Sequence, residues 1–546
     1  VNFREEILSL TKELISFPSV NGTTGEREMA ERIACYFRKV PYFQENPDHI
    51  QICKTGEEDQ ERYNVMAFVK GSKEVSSKTV ILMGHMDTVG IEDFGRWKDV
   101  AFSPEELMKR WEEEGKLPQD TVAGEWLCGR GSLDMKSGLA VNMVLTRYYA
   151  EHVHELKGNI LFLSECDEED NSNGMMTAVR DLNRIAKEWD LHYVAAINTD
   201  YTAPLYPGDP HRYIYCGSVG KLLPSFFIVG KETHAGQVFE GLDPNLVAAE
   251  LTSRIDYNPD FCDRMYGEVT QPPVSLKQTD LKRKYDVQTP LSAFVYYNFF
   301  VYRWSPQEVL DRLKTVAMES LKAAYEKRGK RFQQFCLLNG DDKIPKMDLP
   351  QPQVYTYEEL YQECKKEYGT AWVQRMDLFE KQLQQEDLDL REYCCRMVEE
   401  LWSWKKEKTP AVILFFSSSY FPRICLDEKN ERDHRLMGAV RKAVQEVQPQ
   451  CSHPIVIRHF FPYISDMSFL AIHDKPEEIQ ALQKNLPGWG TKYQMDLAGI
   501  RSLQIPVVNI GPYGMDAHKQ WERVEIPYSM NMVPKINQLV IRFLLD

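Results

Sequence analysis

No apolar run in this chain approaches the roughly 18 residues that a membrane-crossing helix needs. Clustered positive charge is missing too: 66 basic side chains against 81 acidic ones leave a formal net charge of -15. Phosphate contacts require dense Lys and Arg, so nucleic acid is excluded as a partner, and an anionic membrane surface with it. The 12 cysteines include no Cys-x-x-Cys pair and form no dense framework. In a chain of 546 residues that scatter reads as reduced thiols and a cytoplasmic location. The opening stretch VNFREEILSLTKELISFPSV carries Arg4, Glu5, Glu6, Lys12 and Glu13, and lacks the uncharged core of a signal peptide. Repeats and low-complexity segments are absent as well.

What is present is an alternation. YNVMAFV (63–69), TVILMG (79–84), NILFLSE (159–165) and HYVAAIN (192–198) read as strands, with helical spacing over 136–152 and 175–189. Strands alternating with helices predict an α/β fold, a mixed sheet covered by helices on both faces. The texture changes near 214, where LLPSFFIVGKETHAG and LSAFVYYNFFVYRW suggest antiparallel strands, and alternation returns near 431. The expectation is a catalytic domain of residues 1–213 and 431–546 interrupted by an α+β domain, 214–430. A charged helical stretch at about 345–408 enlarges the inserted domain and reads as a solvated amphipathic hairpin.

Polar residues gather at strand ends. ILMGHMDTVG (81–90) places His85 and Asp87 two residues apart after an apolar run. On a strand they share a side, so both could touch one ligand, or one could orient the other. CGRGSLDMKSG (128–138) sets Asp134 in a glycine-rich turn before a helix, and SECDEEDNSNG (164–174) packs Asp167, Glu168 and Glu169 after a strand. INTDY (197–201) ends a strand with Asp200, and GPYGMDAHKQWE (511–522) carries His518 in a loop. Adjacent carboxylates at the end of a buried strand repel unless a cation or a shared proton joins them. Nitrogen and oxygen donors in an open site suit zinc, and a carboxylate can bridge two ions about 3.5–4 Å apart. Each motif alone is weak; all five in one order are not coincidence.

In that order they resemble the dinuclear-zinc peptidase and amidohydrolase family M20, which includes aminoacylases, acetylornithine deacetylase, succinyl-diaminopimelate desuccinylase and glutamate carboxypeptidases. The resemblance covers the chain apart from the helical stretch of the inserted domain and a short insertion near 105–122. It implies that His85 and Asp200 hold one metal ion, Glu169 and His518 the other, and Asp134 bridges them. It implies two divalent ions, zinc first, with cobalt or manganese as substitutes. Asp87 would orient His85, and Glu168 would be the general base acting on a zinc-activated water. GKETHAG (230–236) matches the lid motif, which would make His234 an oxyanion stabiliser. Glu522 matches as a structural partner, and Asp466 falls where relatives have a Gly-Gly-Thr-Asp turn whose glycines are absent here. The Arg-Pro element with which some relatives grip a substrate carboxylate is replaced by SSSYFPRI (417–424), leaving Arg423 as the substitute.

The resulting expectation is a metal-dependent hydrolase that cleaves an amide or peptide bond in a small N-acyl amino acid or short peptide. The length and the long charged lid are most similar to an arginine-utilisation branch of the family, which points to amino-acid catabolism. Small relatives pair through their lids, which makes a homodimer one implied arrangement. The competing reading is a non-catalytic zinc-binding regulatory protein that keeps the fold. Glu168 separates the two, because a protein without catalysis has no need of a base beside the metal.

Overall fold

A computed structural model of the chain describes residues 3–56, 61–340 and 351–546. They form two compact units, one of Val1–Ser218, Ile424–Ile472 and Asp496–Asp546, the other of Val219–Arg423 and His473–Met495.

The first unit is built on an eight-stranded mixed sheet. Its parallel centre runs Asn159–Glu165, Lys78–His85, His192–Asn198, Val507–Asn509. Arg62–Lys70 and Ile50–Thr55 extend it antiparallel on one side, and Arg212–Tyr215 with Ile455–Arg458 on the other. The central strands are buried apart from residues near their amino ends, which is why they read as apolar runs rather than as alternating ones. Val65, Ala67, Val80, Leu82, Ile160 and Phe162 share one core with helices Arg4–Ile15, Lys136–Glu151, Glu431–Val447 and Val533–Leu545. Helix Asn173–Glu188 packs against the other face, where the Tyr193 hydroxyl donates to the Leu182 carbonyl at 2.9 Å.

Lys136–Glu151 is buried almost all round, as the scarcity of charge in KSGLAVNMVLTRYYAE predicts. Its one buried amide, Asn142, donates to Met83 O at 2.9 Å and to Thr199 Oγ1 at 2.8 Å. This ties the ends of two neighbouring strands to the helix. Gly138 permits the approach: a Cβ there would overlap the Thr199 carbonyl oxygen.

The second unit carries a six-stranded sheet with main order Val274–Asp280, Ser292–Val301, Pro224–Val229, Ala411–Phe416, Gln353–Thr356. Helix Pro306–Leu338 starts at a capping box between Ser305 and Glu308.

Two expectations need correction. The inserted unit is not the single stretch 214–430: residues 214–218 and 424–430 stay with the first unit, and 473–495 join the second. Arg212–Tyr215 pairs with Ile455–Arg458, and Ile424–Cys425 with Gly217–Ser218, which holds both crossings in the first unit. Residues 473–495 are drawn to the second by backbone and side-chain bonds, Phe416 N to Asn485 O at 2.7 Å and Glu358 N to Asn485 Oδ1 at 3.1 Å. Neither pairing leaves a local signature in sequence.

The charged stretch is likewise not a solvated hairpin. It opens with strand Gln353–Thr356, parallel to Ala411–Phe416, and continues in three helices, Tyr357–Tyr368, Thr370–Leu383 and Leu390–Ser403. Leu360, Trp372, Met376, Tyr393, Leu401 and Trp402 are buried among them. The part of the expected insertion at 345–350 lies outside the described residues.

Gly138→Ala is expected to destabilise the first unit by about 1–3 kcal/mol, the usual cost of overpacking a dense interior. A fall in the thermal denaturation midpoint checks it; an unchanged midpoint would show that the Thr199 backbone can give way.

Candidate metal centre

Every strand of the parallel centre delivers a polar group at its carboxyl end, where ligands bind in sheets of this kind. His85 is the last residue of Lys78–His85. Glu168 and Glu169 follow Asn159–Glu165, Asp200 follows His192–Asn198, and His518 lies in the loop after Val507–Asn509. Asp134 enters from the turn before Lys136–Glu151.

Asp134 stands between the two histidines. Its Oδ1 is 3.1 Å from His85 Nε2, and its Oδ2 is 2.9 Å from His518 Nε2. His518 Nε2 also lies 3.1 Å from the Glu169 carboxylate. One donor atom each from His85, Asp134 and Asp200 fall within 4.8 Å of one another, as do one each from Asp134, Glu169 and His518. Two donor sets therefore share one carboxylate. Imidazole nitrogen and carboxylate oxygen suit a zinc-type divalent ion, and a shared carboxylate suits a pair. Asp200 is held by its own neighbours: Asn509 Nδ2 donates to its carbonyl at 2.9 Å, and its carboxylate accepts from Tyr201 N at 2.7 Å.

The electrostatics favour positive charge. Burial and the neighbouring Asp134 carboxylate push Asp200 up to about 8, and burial raises Glu168 and Glu169 as well. For His518 burial opposes the charged form, yet bonds with Asp134 and Glu169 outweigh it and raise the ring to about 11. His85 is likewise held well above its usual range, its burial outweighed by Asp134 and Asp87. Asp200, Glu168 and Glu169 rise together with the imidazoles, while Asp134, bonded to both rings, is held below the usual carboxylate range; the site holds more acid than its two histidines neutralise.

Asp87 belongs to neither donor set. Fully buried, it lies beneath them: His85 Nδ1 is 3.2 Å from its carbonyl and 3.5 Å from its Oδ1. The same carboxylate accepts from Glu168 N at 3.3 Å and Glu169 N at 3.1 Å. Asp87 thus contacts both the His85 ring and the turn that carries Glu168 and Glu169. Asn21 Nδ2 donates to Asp87 at 2.9 Å and to Asp167 at 3.1 Å, and Arg62 pairs with Asp167 at 2.7 Å and Glu26 at 3.0 Å. Asn21, Arg62 and Glu26 were not identified from sequence, where Asn21 is only one residue of a Gly-containing turn. Glu168 points its Oε2 toward His85 Nε2 at 4.0 Å.

Glu522 supports Asp134. Its Oε1 accepts from Leu133 N and Asp134 N at 3.1 and 3.2 Å, and its Oε2 pairs with Arg130 at 2.5 Å. Asp466 is buried in the first unit and pushed up to about 7 by that burial. His234 and Arg423 belong to the second unit. His234 Nδ1 accepts from Gly236 N at 3.0 Å, at the start of a short 3-10 turn. Arg423 Nη2 lies 3.4 Å from Asp474 and 3.7 Å from Glu478, so its charge is already partly neutralised.

Residues 81–482 match the sequence profile of peptidase family M20/M25/M40. The chain belongs to that family. It is accordingly a hydrolase of the peptidase class. It is 38% identical to Protein RocB of Bacillus subtilis (strain 168), over 98% of this chain and 94% of that one. It is 34% identical to the uncharacterized protein YqjN of the same strain, over 99% and 97% of the two chains. Among solved structures, aminopeptidase PepT from Bacillus cereus ATCC 10987 superposes with a TM-score of 0.54 at 11% identity, covering 100% of both chains. A metallo-carboxypeptidase from Sulfolobus solfataricus does so at 0.53 and 12%, covering 99% of this chain and 100% of that one. These two share the fold. No helix among the described residues is long and apolar enough to cross a membrane.

Asp87→Asn should weaken binding of divalent ions about 10–100-fold, the usual cost of disturbing a partner behind the ligands. Competition with a chromogenic chelator measures it. Wild-type affinity in that variant would mean that the Asn21 and backbone contacts suffice to hold the turn.

Proposed function

We propose that this M20 protein hydrolyses an amide or peptide bond in a small N-acyl amino acid or short peptide, using two divalent ions, zinc foremost. The observation that carries the reading is the Asp134 carboxylate, one oxygen toward each of two donor sets, with Glu168 alongside. His85, Asp134 and Asp200 would hold one ion, and Asp134, Glu169 and His518 the other. When bound, such a pair polarises a carbonyl and makes water more acidic.

The chain's own groups supply the rest. Glu168 belongs to neither donor set, so its carboxylate is available to take a proton from the attacking water. The water oxygen bonds to the carbonyl carbon, the C–N bond breaks, and Glu168 returns the proton to the leaving amine. Asp87 keeps Glu168 and Glu169 in a fixed relation through their N–H groups, so base and ligand are placed together. His234 is assigned the oxyanion role. Because its Nδ1 accepts from Gly236, the neutral ring carries its proton on Nε2, the donor form that role needs. Near-full-length similarity to RocB supports arginine or another amino-acid derivative as the setting, in a cytoplasmic protein.

A screen of N-acyl amino acids and dipeptides against zinc-loaded protein tests the activity. Glu168→Gln should keep both ions and lower kcat by about 10²–10⁴, whereas Glu169→Gln should lose an ion. An exchange of the two phenotypes would reverse the assignment of these neighbours. His234→Ala should lower kcat by about 10²–10³ without changing metal content. Wild-type turnover in that variant would leave His234 as no more than the cap of its turn.

A further inference from the structure

The loop that carries His518 is held by a part of the chain with no role so far. Residues 92–123 fold into a 3-10 segment, Glu92–Val100, and two helices, Pro104–Glu113 and Gln119–Ala123. They include the short insertion that the family resemblance leaves uncovered. They form their own small core around Phe94, Trp97, Leu107 and Trp111, separate from the core under the main sheet. A core of that size facing only its own segment would gain little from so many aromatic rings. This one closes on a residue from the far end of the chain: Trp521 packs its ring 5.2 Å from Trp97 and 4.8 Å from Trp111.

The next two residues are held by the same segment. Glu522 pairs with Arg130, whose guanidinium also bonds Asp93 at 2.7 Å. Arg523 donates to Asp120 from Nε at 3.0 Å and Nη2 at 2.7 Å, and reaches back to Asp516 at 2.6 Å and the Trp521 carbonyl at 2.9 Å. Three consecutive side chains of the loop thus end on residues 92–123 or on a partner fixed to them.

The loop needs such support. Asp516 and His518 have φ of 60° and 63°, the left-handed region that favours glycine. Asp and His tolerate it better than most, yet the conformation persists only where surrounding contacts over-determine it. His518 is also the most exposed of the proposed ligands, its side chain 46% accessible against 3% for His85 and 5% for Asp134 and Glu169. Burial in the sheet end fixes the other ligands. His518 sits instead in the loop between the paired strands Gly514–Met515 and Arg523–Glu525.

We propose that residues 92–123 are a brace for the His518 loop, and that Trp521 and Arg523, seated on Trp97, Trp111 and Asp120, are positioning residues that set the affinity of the ion shared by Asp134, Glu169 and His518. The proposal rests on the dinuclear reading above. It separates the two ions: Trp521 and Arg523 act on His518 alone, whereas the ion shared by His85, Asp134 and Asp200 takes His85 and Asp200 from strand ends and Asp134 from a turn resting on Glu522 and Arg130.

The test is a zinc titration of the full-length protein against a competing chelator. Wild type should take up two ions. Asp120→Asn keeps the side chain's size and removes its charge; Trp521→Leu empties the aromatic seat. Both should weaken one ion about 10-fold or more and leave the other at wild-type affinity. The affected ion should be the one whose binding is lost in Glu169→Gln. Trp521→Phe should restore most of the affinity. Glu105→Gln, which removes an exposed pair with Lys12 on the same segment, should change neither ion. Should Trp521→Leu fail to fold, Asp120→Asn, at an edge with a third of its side chain exposed, decides the question. Two unchanged affinities in folded Asp120→Asn protein would overturn the brace, as would an equal loss of both ions, which would indicate general loosening. Fewer than two ions in wild type would overturn the dinuclear reading, and the brace with it.

Discussion

A buried carboxylate with four partners couples most of this centre. Asp87 faces the His85 ring, accepts from the backbone of Glu168 and Glu169, and is itself held by Asn21. In a low-dielectric interior an ionised carboxylate persists only with such saturation. Its bonds with His85, Asn21 and the Glu169 N–H outweigh the cost of burial and hold it below its usual range. Because one group satisfies ring and turn alike, His85 on one strand and Glu168 and Glu169 after another cannot shift independently. The parallel register that sets His85 beside Glu165 makes this possible, since it brings the two strand ends to the same height.

The residues around Asp134 show the same economy from the other side. Glu522 caps the backbone of Leu133 and Asp134 while Arg130 neutralises it, so the carboxylate shared by the two donor sets rests on a buried ion pair rather than on solvent. His518 differs in kind. Every other donor is anchored at a strand end or in the turn before a buried helix, whereas His518 sits in a partly exposed loop whose last residues are gripped by aromatic and ionic contacts. The centre thus has a rigid part that comes with the sheet and a part that is rigid only through residues outside it.

The second unit shows how charge composition misleads. Its helical insertion is rich in Glu and Lys, yet it buries Trp372, Tyr393 and Trp402 and adds a parallel strand to the sheet. The charges lie on the outer faces, in pairs such as Lys314 with Glu359 and Lys406 with Glu367. The capping box that starts Tyr357–Tyr368 is written in the sequence as Thr356 and Glu359, directly after the strand it follows.

The sequence by itself determined the periodic elements and the chemistry of the donors. Apolar runs of strand length, helical spacing over 136–152 and five polar motifs are local patterns, and local patterns survive without knowledge of the fold. That His85, Glu168, Glu169 and Asp200 lie together is in keeping with parallel strands delivering their carboxyl ends to one edge, whereas Asp134 and His518 were placed beside them only by the resemblance to the family. What only the tertiary structure decided was everything that joins distant segments without a periodic signal. Asn21 under Asp87, Asn142 across two strand ends, residues 473–495 in the second unit and Trp521 between Trp97 and Trp111 are of this kind. Each depends on a single side chain or backbone group meeting a partner tens or hundreds of residues away. Such contacts are set by packing and hydrogen-bond satisfaction in the folded chain, and neither leaves a trace in the spacing of the residues that make them.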